Sequence, residues 1–191
     1  VRHTFSIAKG YMDVGVYSLF KGAHVSTFAL DIPSDGKITA TFGMACLDYT
    51  DSDTPIVTAS EPPTITPFVS ALSVGTVLAD GASLAGIACI SAMTISLDNS
   101  LQAQRCIGNT MLGPGAQIAT EAAITGTVVL AWSKRAWELW INSFTRKTIA
   151  IQFPITDSLG NQYIFDFPAV EVDGDLPSGG KRDLIEVTLN Y

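Results

Sequence analysis

Side chains that bind transition metals are few in this sequence. The histidines and cysteines are His3, His24, Cys46, Cys89 and Cys106. A zinc site needs ligands at short, characteristic spacings, and neither histidine lies near a cysteine or a carboxylate at such a spacing. Three cysteines are too few for a disulfide framework, and two lie in apolar strand patterns, where cysteine packs as a small hydrophobe. We therefore predict no zinc site and assembly in a reducing compartment.

An acidic cluster, Asp48, Asp51 and Asp53, has the side-chain type that calcium prefers. An EF-hand loop, however, needs ligands at alternate positions, a glycine at the sixth and a glutamate at the twelfth. That pattern is absent from the cluster. A solvated acidic loop accounts for the same residues, so we expect neither a metal site nor a cofactor.

Sequence motifs of the common enzyme classes are also missing. The sequence has no GxSxG, no GxxxxGK[ST] and no GxGxxG after a strand. Gly113-Pro114-Gly115 is followed by no helix pattern whose N-terminus would hold a phosphate. We therefore expect that the protein is not an enzyme.

One segment has the period of an amphipathic helix, with Ser133 in the position of an N-cap. The pattern predicts a helix over 133–145 whose aromatic stripe packs on a sheet. A sugar-stacking or lipid-facing platform is the alternative for the same tryptophans. The stripe recurs at i, i+3, i+4 and i+7 and consists of Trp137, Trp140, Ile141 and Phe144.

Much of the remaining sequence has the period of two that is typical of half-buried strands. Two such patterns, over 89–98 and 124–132, place bulky apolar side chains on one face and small polar ones on the other. A hairpin pattern with the turn Pro33-Ser34-Asp35-Gly36 precedes them. The side chains predicted to fill the core are Phe42, Met44, Met93, Ile95, Val128 and Leu130.

Further segments complete the predicted architecture. Residues 1–23 are apolar but irregularly spaced, which indicates an arm with short extended pieces, and residues 48–80 lose all periodicity, which indicates a long loop. A second hairpin turns at 156–160, and a last strand ends the chain. We predict a single domain over 1–191 that is mainly β: two packed antiparallel sheets, sandwich-like or barrel-like, with one flanking helix.

The composition limits which partners the protein can have. Only 15% of the residues are charged and 47% are hydrophobic, against about 25% charged in ordinary soluble proteins. Part of the surface is therefore expected to be covered by a partner. The uncharged stretches 62–79 and 81–97 are too short or too rich in proline to span a membrane, and no signal-peptide pattern is found. A net charge of −7 argues against binding nucleic acid for its own sake.

In this order, the hairpins and strands resemble a known family. The most specific parts are the strand ending in Leu97-Asp98-Asn99, the glycine-containing strand 124–127, and 160–163 leading to Phe167-Pro168. With the segments FALDIPSDGKITATFGMACL and GPGAQIATEAAITGTVVLAW, they are similar to the tail tube protein, or major tail protein, of long-tailed bacteriophages over residues 24–175. None is a catalytic motif, so the resemblance rests on pattern and order.

The resemblance implies a structural virion protein of the phage tail. It would assemble in the cytoplasm of the bacterial host into homohexameric rings, which stack into the tube through which genomic DNA passes into the next host. The implied partners are further copies of the chain, the tape-measure protein and the tail-end proteins. DNA would pass without specific binding, which an acidic channel favours, and no membrane is involved.

On this interpretation the polar strand faces line the channel, because a strand in a tube wall shows one face to the core and one to the lumen. On an isolated sandwich the same faces would meet bulk solvent. Contacts to an adjacent ring are expected from the long loop, at Asp48, Asp51, Asp53 and Glu61. The candidate lumen-lining residues are Lys37, Thr39, Thr41, Thr94, Ser96, Asp98, Thr125 and Thr127.

Two alternative functions remain open at this point. A β-sandwich binding module, such as a capsid decoration or carbohydrate-binding domain, would expose Trp132, Trp137 or Trp140 as a platform. A phage-like contractile or secretion machine also uses a tube protein of the implied architecture.

Overall fold

The computed structural model describes residues 3–57, 69–108 and 112–191 of the chain. Within these residues it is mainly β, with a single α-helix, α1 (Lys134–Thr145), and a short 3-10 turn at Ala71–Ser73. The strands are β1 (Phe5–Tyr11), β2 (Val16–Pro33), β3 (Thr39–Ala45), β4 (Asp48–Ser52), β5 (Leu78–Ala79), β6 (Ala82–Ser83), β7 (Ile90–Asp98), β8 (Leu101–Gln104), β9 (Ala116–Ala119), β10 (Ala123–Ala131), β11 (Thr148–Thr156), β12 (Gln162–Glu171), β13 (Asp173–Gly174) and β14 (Glu186–Asn190).

These strands form antiparallel sheets. The largest sheet has the hydrogen-bonded order β1-β2-β7-β10-β14-β13, with β3 and β4 also paired to β2. A second sheet has the order β12-β11-β5-β6, and β8 pairs with β9. Among the described residues the order of the largest sheet is open rather than closed into a barrel. The predicted fold class, packed antiparallel sheets with one helix, is confirmed.

The chain divides into two compact units. Unit 1 contains Val1–Phe28, Thr41–Thr64 and Leu97–Ile124, and unit 2 contains Ala29–Ala40, Ile65–Ser96 and Thr125–Tyr191. Long strands such as β2 and β10 contribute residues to both units.

In unit 2 the core lies between two sheets. Val128 and Leu130 of β10 line one small apolar cavity together with Ile149 and Ile151 of β11. Phe153 of β11 is completely buried, and its ring stacks on that of Phe165 in β12 at 5.1 Å between centroids. Met93, Ile95, Val128 and Leu130 are all buried, as the alternating pattern predicts.

Helix α1 begins where the sequence predicts but buries a different face. The Ser133 side chain accepts a hydrogen bond from the backbone N–H of Ala136 at 3.2 Å, which confirms the N-cap. The buried residues of the helix are Ala136 and Leu139. Most of the predicted stripe is exposed, with Trp137 at 45% and Phe144 at 65% exposure. The prediction of a packed aromatic stripe is therefore wrong, because the sheet covers the adjoining face.

The prediction that Phe42 and Met44 fill the core fails in unit 1. Phe42 is 57% exposed, and its ring lies against Phe28 of the neighbouring strand, 5.1 Å between centroids. Met44 is only half-buried. In the region predicted as an arm with short extended pieces, β1 pairs with β2 in an antiparallel hairpin. Backbone pairing thus orders a segment that has no regular apolar spacing.

The region predicted as a long loop, 48–80, is partly regular. Its first five residues form β4, which pairs with β2 from Lys21↔Asp48 to Tyr17↔Ser52. The 3-10 turn and β5 lie near its end, and its middle falls outside the described residues.

The predicted hairpins are confirmed. Gly36 has a φ of +87° in the turn between β2 and β3, a conformation that glycine adopts without steric cost. In the turn between β11 and β12, the Asp157 carboxylate accepts hydrogen bonds from the backbone N–H groups of Leu159 and Asn161, each at 2.9 Å. The hydrogen bond from the Asn161 side chain, together with these backbone bonds, holds the pKa of Asp157 below its usual value. No helix among the described residues has the length and apolarity needed to cross a membrane.

The buried Phe153 ring makes a test of the core possible. We expect Phe153→Ala to lower the free energy of unfolding by about 3–5 kcal/mol, because it removes a fully buried ring and leaves a cavity. The exposed Phe144→Ala is the matched control and should change it by about 0.5 kcal/mol or less. Denaturant unfolding of both variants measures the difference, and equal losses would contradict the assignment of the core.

Candidate functional site

A groove of about 710 Å³ lies within unit 2. Its floor is the polar face of β7 and β10, and its charged wall consists of residues from the end of α1 and from 171–173. The hydroxyl floor is formed by Thr94, Ser96, Thr125 and Thr127, and the charged wall by Arg146, Glu171 and Asp173. The structure thus brings together half of the candidate lumen-lining residues.

Hydrogen bonds hold the hydroxyl floor in place. The Oγ1 atoms of Thr94 and Thr127 lie 2.8 Å apart, and the backbone N–H of Thr127 donates to Thr94 Oγ1 at 3.2 Å. Cross-strand hydroxyl pairs of this kind stabilise a sheet face without bringing charge to it. Thr125 is exposed. Because all four side chains of the floor end in hydroxyl groups, the floor carries no charge.

Gly126 lets Tyr191 approach the floor closely. A Cβ at position 126 would lie 2.4 Å from the Thr94 carbonyl oxygen and 2.4 Å from Tyr191 Cζ, closer than real contacts allow. Gly126 and Tyr191 exchange two backbone hydrogen bonds, of 2.8 and 2.9 Å, and the Tyr191 hydroxyl donates to the Thr94 carbonyl at 3.2 Å. Burial raises the pKa of Tyr191 to about 12, so the ring stays protonated and neutral.

The charged wall was not anticipated from the sequence. Arg146 follows α1 in the left-handed conformation, φ +51°, which directs the chain away from the helix axis. Glu171 and Asp173 flank the buried Val172. The alternation of acid, apolar residue and acid is the sequence signal for two carboxylates on one face, although it does not indicate what lies opposite them.

The groove is lined by polar groups that can make contacts. In the part of the chain that the structure describes, no three His, Cys, Asp or Glu side chains are close enough together to hold a metal ion. The phenol of Tyr191 is neutral at ordinary pH, and the hydroxyls of Thr94 and Thr127 bond to each other, while Thr94 Oγ1 also accepts a bond from the Thr127 backbone. The groove is thus suited to polar contacts.

Comparison with known proteins gives the decisive observation. A protein-family model described as phage tail tube protein matches residues 2–191, nearly the whole chain. The chain belongs to the phage tail tube protein family. No curated protein matches it. Family membership makes this a structural protein of the phage tail, and therefore a component of the virion.

The other candidate lumen residues of this tail tube protein lie outside the groove. Thr39 and Thr41 are exposed on β3, and Lys37 forms an isolated bridge with Ser70 just before that strand. Asp98 ends β7, where its carboxylate accepts a hydrogen bond from the backbone N–H of Ser100 at 2.7 Å. That bond gives Asp98 a role in the turn.

The candidate inter-ring residues of the tail tube protein have individual environments. Asp48 forms an ion pair with Lys21 at 3.7 Å across the β2–β4 pairing. Asp51 accepts hydrogen bonds from the buried Ser18, at 2.7 Å, and from the Tyr49 hydroxyl. The bond to Asp51 raises the pKa of Tyr49. Asp53 is exposed, and Glu61 lies outside the described residues.

The cysteines differ from the sequence prediction. Cys89, predicted to pack as a small hydrophobe, is exposed just before β7, and Cys46 is half-buried. The Cys89 carbonyl accepts a hydrogen bond from the Ala131 N–H at 2.8 Å, but Cys89 lies one residue before β7, and the alternation that buries Met93 does not bury it.

Replacing Tyr191 by Phe tests the floor through the pH dependence of stability. In the unfolded chain a tyrosine ionises near pH 10, whereas folded Tyr191 keeps its proton until about pH 12. The folded state therefore holds more protons in this window, and its stability falls as the pH rises from about 10 to about 12. We expect Tyr191→Phe to weaken this decline, and denaturant unfolding between pH 8 and 12 measures it.

The exposed Tyr163→Phe is the matched control and should keep the full pH dependence. Below about pH 10, Tyr191→Phe should cost about 0.5–1.5 kcal/mol, because the hydrogen bond to the Thr94 carbonyl is lost. Identical pH profiles for Tyr191→Phe and the wild-type chain would contradict the burial of this phenol.

Proposed function

We propose that this tail tube protein assembles in the host cytoplasm into homohexameric rings that stack into a tube, through which genomic DNA passes into the host. Its partners are further copies of itself, the tape-measure protein inside the tube and the tail-end proteins. DNA slides through the channel without specific binding. The proposal rests on family membership and on two features of the surface.

The observation that carries the proposal of self-assembly is the exposed strand β1. It lies at one end of the largest sheet and all seven of its residues are exposed, among them Phe5, Ile7 and Tyr11. Monomeric proteins normally shield such an edge, because its free backbone groups and apolar side chains pair with other chains. A second copy that covers β1 would protect the edge and bury these side chains.

The hydroxyl floor supports the proposal for the channel. A wall that DNA passes must offer phosphates neither cations to bind nor a strongly repelling field at close range. The floor has four hydroxyl side chains and no charge, and the whole chain has a net charge of −7. Thr94, Ser96, Thr125 and Thr127 therefore remain the best candidates for the lumen, with Lys37, Thr39, Thr41 and Asp98 as secondary candidates.

The alternatives differ in what supports them. Trp132 and Trp137 are partly exposed, as a carbohydrate-binding or decoration module would require, but the family match favours a tube. A tube protein of a phage-like contractile or secretion machine would have the same architecture as one of a phage tail, so the fold does not distinguish the two. We propose a phage tail because the matching family is defined by phage proteins.

Electron microscopy tests the assembly directly. We expect the purified chain to form rings with sixfold symmetry and, at higher concentration, stacked tubes, because the exposed apolar strand drives association. Analytical ultracentrifugation gives the stoichiometry in solution. A monodisperse monomer at high concentration, with no rings or tubes, would contradict the proposal.

A single added cation tests the channel. Thr125→Lys puts one lysine on the exposed floor position, and sixfold symmetry repeats it around every ring. We expect normal tubes but slower DNA ejection from virions that contain the variant, because the new cations attract phosphates. Raising the salt concentration should restore the rate, since salt screens that attraction.

Thr156→Lys, which adds the same charge at the exposed end of β11, is the matched control and should eject DNA at the wild-type rate. Wild-type ejection by Thr125→Lys at low salt would remove Thr125 from the channel. Loss of assembly by Thr125→Lys alone would place this position at a contact between copies.

A further inference from the structure

Two opposite ends of one antiparallel ribbon in unit 2 bear groups of complementary charge. The ribbon, residues 173–190, begins at Asp173, which pairs with Asn190. Further along, Ser178 and Glu186 exchange two backbone hydrogen bonds of 2.9 Å, and the chain turns through 179–185. The charged wall of the groove is therefore at one end of the ribbon and this turn is at the other.

The strand between the two ends sets their separation. Four residue steps of β14, from Glu186 to Asn190, span about 13 Å at the usual rise of an antiparallel strand. The side chains of the turn therefore cannot reach the charged wall of their own copy by a direct contact.

The turn end has two adjacent cations followed by an anion. Lys181, Arg182 and Asp183 are all exposed, and the turn is closed by the backbone N–H of Asp183, which donates to the Gly180 carbonyl at 3.3 Å. Neither cation forms an ion pair with another described residue. The next residues, Leu184 and Ile185, are exposed apolar side chains. The turn thus presents charge and apolar surface together.

The groove end has the reverse signs: one cation, Arg146, and two carboxylates, Glu171 and Asp173, all exposed. The charge patterns of the two ends are therefore complementary.

We propose that the turn at residues 180–183 of one copy docks on the charged wall of the groove of a second copy. The proposal rests on the self-assembly proposed above and identifies the surfaces that it uses. Lys181 and Arg182 pair with Glu171 and Asp173, where the planar guanidinium can donate two hydrogen bonds to one carboxylate. Asp183 faces Arg146. The hydroxyl floor takes no part and remains available to the channel.

The docking turn and the groove are different surfaces of the same chain, so the proposed contact can repeat head-to-tail from one copy to the next. Repetition of a head-to-tail contact gives a ring if the rotation closes and a filament if it does not. Both products are elements of a tube. The acidic residues predicted for inter-ring contacts are not used, so the two sets of contacts are independent.

Charge reversal tests the contact. We expect Lys181→Glu with Arg182→Glu, and separately Glu171→Lys with Asp173→Lys, to raise the concentration needed for half-maximal assembly at least about tenfold, because like charges then face each other. Light scattering and electron microscopy measure assembly. Arg105→Glu with Lys134→Glu is the matched control for the first pair, because it makes the same change in net charge on exposed residues outside β1, the groove and the turn.

Combining all four reversals in one chain restores opposite signs across the contact and keeps the net charge at −7. We expect this chain to assemble within about threefold of the wild-type concentration. An equimolar mixture of the two double variants should also assemble, because the altered turn of one fits the altered groove of the other. Continued failure of both the fourfold variant and the mixture would overturn the proposal.

Cross-linking of the unmodified chain needs no substitution. A zero-length reagent that joins amines to carboxylates should link Lys181 to Glu171 or Asp173 in assembled samples. Mixed isotope-labelled and unlabelled copies identify the link as one between two chains by mass spectrometry. Its absence from assembled tubes would overturn the proposal.

The outcomes separate the two proposals. Wild-type assembly by either double variant would overturn the docking contact, while the tube itself would stand. Absence of rings and tubes from the unmodified chain would instead overturn the proposed function.

Discussion

The alternation of side chains along β7 and β10 is the constraint on which the rest of the structure depends. Successive residues of a strand point to opposite faces, so the strands that bury Met93, Ile95, Val128 and Leu130 necessarily present Thr94, Ser96, Thr125 and Thr127 on the other face. Burial of the apolar face against β11 therefore fixes where the hydroxyl groups lie. A register shift of one residue would exchange the two faces.

The close approach of Tyr191 depends on the same arrangement. Gly126 lies between Thr125 and Thr127 on the core side of β10, and the absence of a side chain lets the Tyr191 ring reach the Thr94 carbonyl. The hydroxyl floor is thus supported from behind by a neutral, partly buried phenol. The floor is therefore an uncharged surface with hydroxyl groups on one side and apolar packing on the other.

The separation of hydroxyl groups from charges within the groove has a physical consequence for a tail tube protein. Hydroxyls form hydrogen bonds in any orientation and bring no net charge, so they suit a surface past which DNA moves. Opposite charges at a subunit contact determine which surfaces meet and exclude incorrect orientations. Charged residues make up only 15% of the chain. Because charges are few, the position of each exposed cation has a large effect on which surfaces of two copies can pair.

The sequence by itself determined the fold class, the hairpin turns, the helix N-cap at Ser133 and the two faces of β7 and β10. Each of these depends on local rules: side-chain period, turn residues and capping groups. The sequence also indicated the family, which the family match confirmed. Local patterns are enough for these features because they depend on neighbours within a few residues.

Only the tertiary structure decided which apolar patterns form the core. Trp137 and Phe144 have the spacing of a buried stripe but are exposed, because the sheet covers the face with Ala136 and Leu139. Phe42 alternates correctly but lies on an exposed face beside Phe28. The charged wall joins residues from the end of a helix and from the 171–173 segment, which are distant in the sequence. Periodicity shows that a face is apolar or charged, whereas long-range packing decides what lies opposite to it.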